Sequence, residues 1–132
     1  MQRVINLNIL KYMLLLILGG AIYTVLETVY RGHTHWTMFI AGGVSFVMLY
    51  LISLHITAPL MIRAVMGGLV ITCVEFAFGS VVNIVLGWNV WDYSDREFNI
   101  LGQVWPGASA VWIALSVPAM GLCRVLDNFV FK

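Results

Sequence analysis

Two glutamates stand where a membrane-spanning segment would be apolar. Glu75 lies in the middle of an apolar run from 64 to 87, and Glu27 lies in a second run behind the same local pattern. The pattern is Gly19-Gly20-x-x-x-Thr24-x-x-Glu27-x-x-Tyr30 against Gly67-Gly68-x-x-x-Thr72-x-x-Glu75-x-x-Phe78, at a constant offset of 48 residues. A carboxylate in hydrocarbon costs several kcal/mol unless it is protonated, paired or hydrated, so an intramembrane carboxylate points to a functional site. The chemistry open to such a pair is binding of a small or cationic solute and exchange of a proton. Two acids in one cavity titrate as a coupled pair, which suits proton-linked exchange.

Helical periodicity says how these groups are positioned. Gly68, Thr72, Glu75, Gly79 and Asn83 recur at three- or four-residue spacing and form one small, polar stripe, as do Gly20, Thr24, Glu27 and Arg31. Weaker stripes occur at Gly42, Ser45 and Ser53, and at Ser109, Trp112, Ser116 and Ala119. Such stripes let helices approach and hydrogen-bond, so both glutamates are expected to face the bundle interior or a subunit interface. Glu27 precedes Arg31 by four residues, the order that favours an ion pair on a helix. Glu75 is twelve residues from both Arg63 and Gly87, about 18 Å from either end of its run, with no partner on its own helix.

The composition supplies the surrounding elements. Of 132 residues, 61% are hydrophobic and 10% charged, against about 25% charged in a soluble domain. The chain therefore reads as an all-α, polytopic membrane protein, a single four-helix domain with spans near 12–30, 36–54, 64–87 and 105–122 and a long outer loop at 88–104. The offset of 48 suggests a parallel repeat of two helices. Arg3 and Lys11 before Met13 resemble the start of a signal peptide, but no cleavage pattern comes closely after and the segment is kept as a span. Arg3, Lys11, Arg63, Arg124 and Lys132 collect on one side, which places both termini in the cytoplasm. Tyr30, Trp36, Trp88, Trp91, Tyr93 and Trp105 collect on the other as an aromatic belt. Pro106 fits the first turn of the fourth helix, and Pro118 should kink it.

The loop alternates aromatic and polar residues and is expected to fold back on the bundle, with Asp92 and Ser94 in turns and Arg96 reaching a carboxylate at the bundle mouth. The candidate solute or ion site comprises Glu27, Thr72, Glu75, Asn83, Asp92, Arg96, Asn99 and Gln103. Cys73 and Cys123 read as buried thiols, and His33 and His35 as turn residues before metal ligands. No cofactor, metal or catalytic residue is assigned, and the net charge of +1 speaks against nucleic acid. There is no P-loop, HExxH or nucleophile triad. The leading expectation is a transport component in the bilayer, forming a homodimer that packs through Gly42-Gly43, with a separate membrane or ATPase partner also open. The alternatives are an assembly protein with structural glutamates, or a membrane enzyme acting on lipid-linked substrates through Asp92, Glu27 and the histidines.

The segment Trp91-Asp92-Tyr93-Ser94-Asp95-Arg96-Glu97-Phe98-Asn99, continuing to Gly102-Gln103, resembles the signature of the ABC transporter type IV family of small bacterial membrane proteins. Glu27-Thr28-Val29-Tyr30-Arg31 and the Glu75-Phe76 pair are similar to it as well. The resemblance implies a multi-helix protein of the bacterial inner membrane, described as a permease. The family pattern often has Pro where Glu97 stands, and a cysteine near Trp105.

Overall fold

Hydrocarbon offers no hydrogen-bond partners to the backbone, so an apolar spanning segment folds as a helix. The computed structural model describes residues 2–131. Its four α-helices are α1 (Gln2–Arg31), α2 (Trp36–His55), α3 (Leu60–Gly79) and α4 (Pro106–Phe129), and the four helical segments are each long and apolar enough to cross a membrane. No strand occurs among the described residues. The chain is thus all-α and reads as a multi-pass membrane protein, as its composition requires.

Three boundaries differ from the hydropathy reading, one of them the end of α4, which runs to Phe129 rather than to 122. α1 begins at Gln2 rather than near 12, and its 30 residues extend about 45 Å, well beyond a ~30 Å hydrocarbon layer. Hydropathy marks only its most apolar part, because the interleaved Gln2, Arg3, Asn6 and Asn8 mask a continuous helix. α3 starts at Leu60 and passes at Ser80–Val85 into a π-helical segment. There Leu86 N–H donates to Val81 O at 2.9 Å, five residues back. Composition carries no signal for this wider turn.

The helices approach through glycine. A Cβ on Gly19 would lie 3.1 Å from Gly42 O, and one on Gly20 would lie 2.6 Å from Phe39 O. From the other side, Gly42 receives Tyr23 and Gly43 receives Leu16. Gly42-Gly43, expected to join two copies, is therefore occupied by α1 of the same chain. In the second half, Gly67 lies against Leu49, Ser116 and Met120, and Gly68 against Ile113. Gly19-Gly20 on α1 thus seats α2, whereas on α3 Gly68 seats α4 and Gly67 lies between α2 and α4.

α2 is the centre of the bundle, and Leu15, Phe46, Leu49, Tyr50, Ile71, Met120 and Cys123 form the core around it. No Cα of α1 comes within 8 Å of a Cα of α3 or α4, so among the helices the α1 backbone packs closely on α2 alone. Pro106 occupies the first turn of α4, which runs unbroken through Pro118. Cys123 is buried as expected, whereas Cys73 is exposed, because one residue past Thr72 the helix has rotated away from the polar stripe.

Close backbone approach sets a clear expectation. Gly68→Leu forces α4 away from α3 and should lower stability by about 1–3 kcal/mol. Gly121→Ala, where a Cβ meets nothing, should be neutral or mildly stabilising. Thermal unfolding of both variants in mild detergent measures the difference.

Candidate functional site

The long loop is fastened at its base to the π-helical turn. Asn83 on that turn accepts from Val90 N–H at 2.7 Å and donates to Gln103 Oε1 at 2.8 Å. The buried Gln103 donates to Leu101 O at 2.9 Å, and its own carbonyl accepts from the Trp91 indole at 3.0 Å. Gly79 makes room for this knot, since a Cβ there would sit 2.8 Å from the Trp91 ring. Leu101 and Gly102 have φ of 54° and 73° and turn the chain back so that Gln103 N–H reaches Ile100 O at 3.0 Å. Positive φ at two successive central residues is the mark of a type I′ turn.

Further out, Asp92 accepts from Ser94 N–H at 2.8 Å, and that bond holds its carboxyl below the usual carboxylate range. Asn99 closes the tip, donating to Arg96 O at 2.8 Å and accepting from Gly102 N–H at 2.9 Å. The loop does fold back on the bundle. Trp91 is buried in its base rather than placed in a belt, and Tyr93 and Trp105 face a cleft.

That cleft, about 600 Å³, lies between the loop, the last turns of α1 and the first turns of α4. It exists because α1 stands away from α4, with Tyr23 reaching across to place its ring 5.7 Å from that of Trp112. Glu27 lines it, buried at 9% exposure, and no protein group among the described residues hydrogen-bonds its carboxylate. The expected Glu27–Arg31 ion pair does not form. Arg31 turns instead to the loop, donating from Nη2 to Tyr93 Oη at 3.1 Å.

Glu75 sits one layer behind this wall and does not line the cleft. It accepts from Tyr93 Oη at 3.3 Å and from Trp112 Nε1 at 3.4 Å. Burial first, then the negative charge of Glu75, pushes the Tyr93 hydroxyl up to about 12. The phenol therefore keeps its proton at neutral pH and serves Glu75 as a donor while accepting from Arg31. Arg31, Tyr93 and Glu75 form a chain of hydrogen bonds from the cleft to α3.

The eight candidate residues divide by role. Glu27, Asp92 and Arg96 line the cleft, with Glu75 behind it. Arg96 reaches only its exposed neighbour Asp95, at 3.9 Å, and lies over the Trp105 ring. Asn83, Asn99 and Gln103 are occupied in holding the loop, and Thr72 bonds to Ser109 at 2.7 Å between α3 and α4. The candidate set omits Tyr23 and Trp112. Tyr23 lies one turn before Glu27 on the same face, and Trp112 lies on the polar stripe of α4. His35 caps α2, its Nδ1 accepting from Thr37 N–H at 3.3 Å. Among the described residues no group of three or more His, Cys, Asp or Glu is arranged to hold a metal ion.

A four-helix membrane protein with an acidic, aromatic cleft beneath a folded loop is the class this architecture defines. The model of the family described as "Putative ABC-transporter type IV" matches residues 10–131, nearly the whole chain, and the chain belongs to that family. No curated protein and no solved structure matches it.

Tyr93→Phe removes the hydroxyl that bridges Arg31 and Glu75. It should cost about 1–3 kcal/mol and loosen the loop. Faster hydrogen exchange of amides 92–103, with the amides of α2 unchanged, is the expected result.

Proposed function

We propose that this chain is a transport component that binds a small, positively charged solute in the cleft between α1 and α4. Glu27 is the binding carboxylate and Glu75 exchanges a proton behind it. One observation carries the reading: Glu27 is buried on the cleft wall and has no protein partner among the described residues. The cleft lining carries three carboxylates, Glu27, Asp92 and Asp95, and two guanidinium groups, Arg31 and Arg96, and Glu75 adds a further acid behind it. That balance favours a cation. The family's name agrees with transport.

Arg3, Lys11, Arg63 and Arg124 gather at the end of the bundle away from the loop, which by the positive-inside rule faces the cytoplasm; Lys132 lies outside the described residues. The loop and cleft then open outward from a bacterial inner membrane. With no P-loop in the chain, ATP hydrolysis would belong to a separate subunit. A homodimer would have to use surfaces other than Gly42-Gly43, and crosslinking in mild detergent tests for it.

Flux assays in proteoliposomes test the two acids separately. Glu27→Gln should reduce solute affinity at least tenfold, the equivalent of about 1.4 kcal/mol. Glu75→Gln should abolish the pH dependence of flux while the protein still folds; unchanged flux in both variants would overturn the reading. The bonds from Tyr93 and Trp112 to Glu75 favour a second reading, in which Glu75 joins α3, α4 and the loop of an assembly protein. That reading expects Glu75→Gln to destabilise the fold strongly, with no solute bound by the parent protein.

A further inference from the structure

The cleft has two ends of different chemistry. At the loop end stand the charged side chains Arg31, Asp92, Asp95 and Arg96. One turn deeper, Glu27 is the only charged group on the wall, beside Tyr23 and Trp112. The remaining lining includes Leu26, Val111 and Leu115, which continue onto the outer face of the bundle where lipid would lie. The Cα atoms of α1 and α4 stay more than 8 Å apart, and Leu26, Val111 and Leu115 are exposed, so beyond the Tyr23–Trp112 contact this apolar end faces outward between the two helices.

From this arrangement we infer that the solute is an amphiphilic organic cation, an ammonium carrying an alkyl or aryl body, which reaches Glu27 sideways from the bilayer between α1 and α4. The inference rests on the proposal that Glu27 binds a cation and adds the body and the route. A strongly hydrated inorganic cation would gain nothing from Tyr23, Trp112 and Leu115, and aromatic faces attract alkylated ammonium groups that have shed water. Arg31 and Arg96 do not oppose this, because both are turned to the loop, Arg31 onto Tyr93 and Arg96 onto Trp105 and Asp95. The volume of about 600 Å³ accommodates a ligand well beyond the size of a bare ammonium ion.

Tryptophan quenching in nanodiscs tests this, read against protein-free discs, with three probes: tetramethylammonium, octyltrimethylammonium and octyl sulfate. The expected result is octyltrimethylammonium bound at least tenfold more tightly than tetramethylammonium, and octyl sulfate not bound. Glu27→Gln should weaken the octyl cation at least tenfold. Leu115→Asn, a polar change on the apolar wall that adds no fluorophore, should weaken the octyl cation at least fivefold more than it weakens tetramethylammonium. Equal binding of the two cations, or no selective effect of Leu115→Asn on the octyl cation, overturns the amphiphile and the sideways route while leaving cation binding intact. Octyl sulfate bound as tightly as the octyl cation, or neither cation bound, overturns both.

Discussion

A carboxylate buried among helices with no cation in contact must take its hydrogen bonds from neutral donors, and Glu75 takes them from two different elements. Trp112 supplies one from α4 and Tyr93 the other from the loop. Since Tyr93 also accepts from Arg31 on α1, one acid on α3 ties together every part of the loop end except α2. The loop's position over the cleft depends on this. Its base is knotted independently by Asn83, Trp91 and Gln103, but it is Tyr93 that connects it to the acid and to α1.

The two glutamates share a sequence pattern and differ in surroundings, and the cause is the length of chain after each helix. After Glu27 and the end of α1 the chain turns within four residues into α2, too short a connection to fold back over the acid. After Glu75 come the π-helical turn and about twenty residues before α4, enough to return and supply a phenol. The widened turn matters here because it carries Asn83, to which both ends of the loop are bonded. π-Helical turns recur at functional positions, and this one sets the base of the cleft's roof.

Much of this was legible in the chain. The inward stripes were readable because glycine, threonine and glutamate at helical spacing have no use against lipid. All three Gly-Gly pairs and both acids indeed lie on buried faces. The chain does not say which inward group meets which. Gly42-Gly43 looks equally suited to a second copy or to α1, and only the seating of Leu16 and Tyr23 decides. Trp91, among the polar residues of a loop, reads as an interfacial anchor, yet its ring is buried against Gly79. Its seat is made by a missing side chain on another element, and no local pattern around the tryptophan records that.

The missing Glu27–Arg31 pair is the most instructive difference. An i to i+4 ion pair on an isolated helix contributes only about 0.2–0.5 kcal/mol, so the local spacing is a weak guide to where a guanidinium turns once the bundle has folded. The loop brings Tyr93 Oη within 3.1 Å of Arg31, and the 5.9 Å approach of the guanidinium to the same ring adds a cation–π attraction that Glu27 cannot offer. The local pairing rule is overridden by a residue 62 positions away. Its consequence falls on Glu27, which keeps its buried place on the helix and loses its only local cation. The interaction that secures the loop is therefore also the one that leaves an acid facing the cleft.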